Sequence, residues 1–401
     1  MFNRIYLQQT MKKAIFSIAL ACISGLTAHA QLNGDGFYRI QNANTGRYMT
    51  LADRHSRGAN SHTATVDAGA LATRKNWSDI ENDPGSVFYI QKVNSSEYNI
   101  LAQGIDMHQL INYYIRIESK DGGKTYKFWQ TDSGTRLYLS DEDQEYQGTD
   151  NGFVVTKGQD TRDWKIIPLD NTSSNYIGIT PLVKANNGKY YATYLAGFPF
   201  SLQSSGMKAY TLTYNAAVAN VGYQEVTGDI PASTPVLIEC NNADAKSNLI
   251  QPLVNSSNKV NNHNDLQGVF FSLADWISQH YNYLVFDANT MRYLGINASG
   301  DLVFNNSNEY MATMHVFDGK QNSYYQAIPH NTAYIPVAAG AASELKVVDQ
   351  ATGITPTLFT QDEKAGNVYN LMGTLVRKNA TSVEGLPQGI YIFKGKKVVV
   401  K

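Results

Sequence analysis

Two cysteines in 401 residues exclude a disulfide framework. Cys22 lies in the N-terminal apolar run, so a chain processed after that run keeps Cys240 alone and must rest on its core. Cys240 follows Val236-Leu237-Ile238, and in that setting it reads as a small buried side chain at a strand end rather than a nucleophile. Charge is scarce too: Asp, Glu, Lys and Arg make up 17% of the chain, against roughly 25% in an average domain. A formal net charge of -1 offers nucleic acid no basic face, so no nucleic-acid partner is expected. Long apolar runs are also missing, with Ala14 to Leu26 the one exception, and no transmembrane span is expected in the mature protein. The chain has no His-Glu-x-x-His, no Gly-x-Ser-x-Gly, no phosphate-cradling Gly-rich loop before a helix and no cysteine pair. His55, His62, His108, His263, His280, His315 and His330 are scattered, which predicts no metal and no cofactor.

What is present reads as a β-rich chain with an N-terminal leader. Met11-Lys12-Lys13 is a short basic region, Ala14 to Leu26 an apolar stretch, and Ala28-His29-Ala30 a small-x-small cleavage signal before Gln31. Residues 1–30 therefore read as a signal peptide, with either Met1 or Met11 as the start. Attachment of lipid at Cys22 is the rival reading. Removing the leader takes away Arg4, Lys12 and Lys13 but no acid, shifting the charge from -1 to -4. The full chain is rich in Tyr (26) and Gly (31), the mark of sheets joined by tight turns. No amphipathic helix of useful length is predicted.

Residues 32–170 carry internal echoes. Phe37-Tyr-Arg-Ile-Gln-Asn42, a turn at Asn44-Thr45-Gly46 and Arg47-Tyr-Met-Thr-Leu51 form one hairpin pattern. Tyr126-Lys-Phe-Trp-Gln130, a turn at Asp132-Ser133-Gly134 and Thr135-Arg-Leu-Tyr-Leu139 repeat it, with a weaker middle copy at Tyr98–Leu101 and Gly104. Closing strands follow at Val87–Val93, Tyr113–Ile117 and Trp164–Leu169. Three imperfect copies that cannot each bury a face alone should pack about a common axis, which predicts a β-trefoil. The run Asp35-Gly-Phe-Tyr-Arg-Ile-Gln-Asn-Ala-Asn-Thr-Gly-Arg-Tyr-Met49 resembles the opening repeat of ricin-type β-trefoil lectin domains, over about a third of the chain. The Gln-x-Trp signature of that family is missing: Trp129 precedes Gln130, and Trp164 follows Asp163.

Asp170–Asn175 reads as a polar linker. Residues 176–350 then carry a second pair of echoes, Ile230-Pro to Ile238 and Ile328-Pro to Val337, each Ile-Pro, a spacer and a strand. Tyr190-Tyr-Ala-Thr193, Met207-Lys-Ala-Tyr210 and Ile230-Pro-Ala-Ser-Thr-Pro235 resemble β-sandwich modules of exported proteins from bacteria with type IX secretion. The Asn-rich stretch 255–264 reads as a solvated loop. In 354–401, Asn367–Val376, Leu386-Pro-Gln-Gly-Ile-Tyr-Ile-Phe393 and Lys396–Lys401 resemble the C-terminal sorting domain of type IX cargo. The alternative for this tail is a last hairpin packed on the sandwich.

The expected architecture is thus all-β: a β-trefoil-like N-terminal domain, a β-sandwich region and a C-terminal β-hairpin tail. The expected location is outside the inner membrane, extracellular or on the outer-membrane surface, reached by Sec export and type IX machinery. Non-catalytic carbohydrate binding is the leading functional expectation. A structural or adhesive protein with a protein partner is the second. The third is a glycoside hydrolase, which requires two facing carboxylates in 176–350, one of them held above its ordinary pKa. Aromatic faces stack on sugar rings while amides and carboxylates bind the hydroxyls. This singles out Trp77, Tyr113, Tyr114, Trp129 and Tyr138 as platforms and Asp35, Asn42 and Asp132 as polar partners. Trp164, in an alternating strand, is expected in the core, and Trp276 on an exposed turn. Asp141-Glu142-Asp143 with Glu145 reads as a solvated loop rather than a calcium site.

Overall fold

The computed structural model describes residue 32 and residues 34–51, 67–94, 97–107, 115–132, 134–143, 152–157, 162–271, 273–275, 280–317, 322–349, 366–370, 374–383, 385–393 and 396–400. The fold is all-β; apart from Met107, the described helical residues form three single-turn 3-10 segments.

The first module holds β1 (Gly36–Asn42), β2 (Tyr48–Leu51), β3 (Asp67–Arg74), β4 (Phe88–Lys92), β5 (Tyr98–Ala102), β6 (Ile105–Asp106), β7 (Arg116–Glu118), β8 (Lys127–Asp132), β9 (Thr135–Asp143), β10 (Gly152–Lys157) and β11 (Trp164–Pro168). Six of these close a ring. β1 pairs with β4 and β11, β4 with β5, and β7 with β8. Single bridges, Glu97 to Arg116 and Tyr126 to Trp164, complete the circuit from β5 to β7 and from β8 to β11. The hairpins β2–β3 and β9–β10 pair with each other beside it through β3 and β10. Alternation explains the ring: Tyr38 and Ile40, Phe88 and Ile90, Ile100, Ile117, Phe128, Trp164 and Ile166 point inward from successive strands into one core. Trp164 is fully buried there, and its indole donates to the Leu139 carbonyl at 2.9 Å. Both expected hairpin turns form, with Gly46 and Gly134 in the left-handed region that a glycine adopts without strain.

Two local expectations are corrected. The acidic run after Leu139 is not a solvated loop: β9 continues to Asp143, because Ser140–Asp143 pair with β10. Asp141 is buried, and its carboxylate accepts from Thr45 Oγ1, Thr73 Oγ1 (2.7 Å) and Arg47 (3.4 Å). Asp170–Asn175 is a pinned corner rather than a free linker. The Asp170 amide donates to the Asn175 carbonyl, Asn171 Nδ2 to the Ile250 carbonyl, and Lys246 Nζ to the carbonyls of Asn171 and Ser173.

The second module comprises β12 (Val183–Lys184), β13 (Tyr190–Tyr194), β14 (Phe200–Leu202), β15 (Lys208–Asn215), β16 (Asn220–Val226), β17 (Val236–Cys240), β18 (Ile250–Pro252), β19 (Gln267–Val269), β20 (Leu273–Asp275), β21 (His280–Asn282), β22 (Met291–Ile296), β23 (Leu302–Asn305), β24 (Ala312–Phe317), β25 (Asn322–Ala327), β26 (Thr332–Pro336) and β27 (Glu344–Asp349). Ten of them form one sheet in the order β12-β13-β17-β15-β16-β27-β23-β22-β26-β19, antiparallel save for β16 and β27. The sheet curls until β13 meets β26. Leu195 and Asn331 exchange backbone N–H···O and side-chain amide bonds of 3.0 Å, and the Ala333 amide donates to Thr193 Oγ1. The period of two sends each face into its own core. Tyr191, Tyr210, Leu212 and Leu237 face the inside of the curl. Ala192, Tyr194, Ala209, Val236, Ile238 and Cys240 face outward, against the β14–β18 ribbon and the first module.

The modules pack against each other along a seam. Val87 and Phe37 of the first pack in the outer core of the second. Arg39 is fully buried between them, donating to Ser86 Oγ, Asn175 Oδ1 and the carbonyls of Tyr176 and Ile80. Backbone touches backbone at Gly104 and Gly197: a Cβ on Gly197 would sit 2.1 Å from the Gln103 carbonyl oxygen. The tail forms the expected hairpin, β30 (Gly389–Phe393) with β31 (Lys396–Val400). It adds β28 (Gly366–Asn370) and β29 (Leu375–Ala380) in a four-stranded sheet over Val368, Ala380, Tyr391 and Phe393.

Candidate functional site

One end of the curled sheet opens into a hollow of about 780 Å³. Mouths of curled and closed sheets are common ligand sites, because side chains from several strands converge there. Strand register does the converging here. Tyr191 on β13 lies opposite Glu239 on β17, and Lys208, two residues before Tyr210 on β15, lies on Glu239's other side. Tyr223 on β16 comes next, its ring 5.0 Å from that of Tyr210 and edge-on at 69°. The hydroxyls of Tyr210 and Tyr191 both donate to Glu239 Oε2, at 3.3 and 3.4 Å. Lys189 Nζ reaches Glu239 Oε1 at 3.0 Å. Asn187 Nδ2 donates to the Tyr191 hydroxyl at 3.0 Å. Asn186 and Asp301, bonded to each other at 2.6 Å, form part of the rim.

Burial, and then the charge of Glu239, raise the Tyr191 and Tyr210 hydroxyls above their usual range. Both therefore stay protonated through physiological pH and act as neutral donors, with Glu239 as an acceptor. Tyr191 and Tyr210 are buried and Tyr223 is half-buried, so the Tyr223 ring is the one open to a ligand. The set offers an aromatic face, a carboxylate and amides, the groups that bind a polyhydroxylated molecule.

Among the described residues, the carboxyl held above its ordinary range is Asp141, raised by burial in the first module and committed to Thr45, Thr73 and Arg47. It lies outside 176–350, where a hydrolase site was expected. Among the described residues, no three His, Cys, Asp or Glu side chains gather as a metal would need.

Of the binding residues expected from sequence, Asp35, Asn42, Trp77, Trp129 and Tyr138 are dispersed over the first module and engaged in its structure. Asp35 Oδ1 accepts from the Lys92 amide at 2.8 Å. Asn42 is buried, with Oδ1 accepting from the amides of Asn44 and Thr45. Trp77 is half-buried. It lies edge-on to Tyr48 and Tyr176, its ring is 4.8 Å from the Arg39 guanidinium, and it lines a small hollow of about 290 Å³. Trp129 faces outward from β8 but lies between the guanidiniums of Arg116 and Arg136, 5.1 and 4.1 Å from its ring, so it is buried. Arg162 covers Tyr138 in the same way at 5.0 Å. Asp132 closes β8 opposite Thr135. Tyr113, Tyr114 and Trp276 lie outside the described residues. The tyrosine hollow was missed, although one signal pointed to it: Glu239 interrupts the apolar run Val236-Leu-Ile-Glu-Cys240.

No family model matches the chain, and no curated protein matches it. Among solved structures, the chain aligns with one described by the structure and mode of action of a mosquitocidal holotoxin. That alignment has 13% identity and a TM-score of 0.23, over 85% of this chain and 37% of the toxin chain. So slight a likeness carries no argument. The chain spans little more than a third of that protein's length.

Proposed function

We propose that this chain is an exported, non-catalytic carbohydrate-binding protein, and that the hollow of Tyr191, Tyr210, Tyr223 and Glu239 is its binding site. The observation that carries the reading is the convergence of three tyrosines on one carboxylate at the open end of a curled sheet, with Asn186, Asn187 and Asp301 at the rim. A pyranose ring stacks its C–H face on Tyr223. Its hydroxyls donate to the lone pairs of Glu239 left unused and accept from the rim amides. The leader at residues 1–30 and the sorting-type tail support export to the cell surface as part of the same reading. No helix among the described residues is long and apolar enough to cross a membrane.

The test is binding of the full chain and of Tyr223→Ala to an array of host and plant polysaccharides. The reading predicts binding by the parent chain and its loss in the variant, with an unchanged melting temperature. Absence of binding to every glycan, or binding indifferent to Tyr223, contradicts it.

A further inference from the structure

The tail differs from the rest of the chain in charge. Residues 366–401 hold six Lys and Arg against one Glu, a net charge of +5, whereas residues 31–365 sum to -9. The tail is thus a basic module on an acidic chain. Lys378 is exposed on β29, and Lys396 and Lys397 open the edge strand β31.

The tail sheet is also apolar on both faces. β30 carries aliphatic or aromatic side chains at every position after Gly389, the pattern of a strand covered from two sides. One side is covered: Tyr391 and Phe393 pack with Val368, Ala380, Val383 and Leu386. Alternation sends the other residues to the opposite face. There Ile390 stands opposite Val399, and Tyr369 stands between Leu375 and Ile392, with Lys397 next in the same row. Leu375 is 47% exposed, Ile390 37% and Val399 59%. All four strands therefore contribute to one open apolar face on a basic module.

That pairing of properties selects the occupant. A soluble acidic polymer answers the charge but leaves the apolar side chains in water. A bilayer with anionic phosphate headgroups answers both, since cations are drawn to its surface and apolar side chains enter the boundary below the headgroups. The same surface repels the acidic remainder of the chain, which favours approach by the tail first.

We propose that the outer face of the tail sheet is a peripheral docking surface for an anionic lipid bilayer, holding it through the tail's cations and through Leu375, Ile390 and Val399. The test is co-sedimentation of the mature chain, residues 31–401, with vesicles of phosphatidylcholine alone and of an equal mixture with phosphatidylglycerol. Binding is expected on the anionic vesicles only, and it should weaken as salt rises. Each cation near such a surface contributes about fivefold in affinity, so the double variant Lys378→Glu, Lys397→Glu should bind about 25-fold more weakly or less. Leu375→Ser with Val399→Ser should weaken binding severalfold at an unchanged melting temperature, because both side chains are exposed. Tyr223→Ala should leave it unchanged. Absence of binding to the anionic vesicles overturns the proposal, as does binding that either tail variant leaves unweakened. Tail-dependent self-association that leaves no chain on the vesicles points to a second copy and overturns it too. Equal affinity for soluble polygalacturonate, indifferent to the Leu375 and Val399 changes, points to an acidic polymer with the same consequence.

Discussion

At the scale of single residues, the structure separates side chains that hold the fold from those that face a ligand. Arg39 belongs to the first group: its buried guanidinium ties Ile80 and Ser86 to Asn175 and Tyr176. Arg39→Met strips these acceptors of their donor and is expected to cost about 3–5 kcal/mol in a denaturant titration. Trp129, between two arginines, is expected to behave alike: Trp129→Ala should cost about 3 kcal/mol and leave saccharide binding unchanged. Cys240 makes a chemical prediction. Burial, with a smaller push from Glu239, raises its thiol to about 12. Peptide mapping after iodoacetamide treatment at pH 8 should find Cys240 unmodified in the native chain and alkylated in urea.

At the scale of strands and turns, Asp141 gives a pH test. Burial holds its folded-state carboxyl above the ordinary 3.8, so its contribution to stability is fully present below that value and is lost as pH rises through the raised one. Asp141→Asn does not titrate, so its stability relative to the parent chain should improve as pH rises from below 3.8 through the raised value. Urea titrations across that window measure it, and a constant difference contradicts the assignment. Much at this scale was legible in the sequence, because period-two alternation and turn glycines are local signals. The hairpins around Gly46 and Gly134, the core position of Trp164 and the terminal hairpin of the tail all follow from them. The end of β9 was not legible: polar Asp141-Glu-Asp143 reads as loop until Thr45, Arg47 and Thr73, from distant chain segments, supply partners. The same limit hid the candidate site. Tyr191, Tyr210 and Glu239 stand on three strands, and no short window of sequence contains them together.

For the whole molecule, the seam decides how the modules behave. A shared core, the buried Arg39 and the contact of Gly104 with Gly197 leave no plane along which they separate freely. Gly197→Ala forces a methyl against the Gln103 backbone, and a denaturant titration should show a loss of at least about 2 kcal/mol. The account's central claim is that Glu239, framed by three tyrosines, binds a sugar without chemistry. The most direct test is the affinity of the parent chain and of Glu239→Ala for the saccharide the array selects, measured at equal folded fraction. A hydrogen bond to a carboxylate contributes about 1.5–3 kcal/mol, so the account predicts a loss of roughly tenfold to a hundredfold with no hydrolysis by either protein. An affinity within about twofold of the parent chain's, or cleavage of the saccharide, contradicts it.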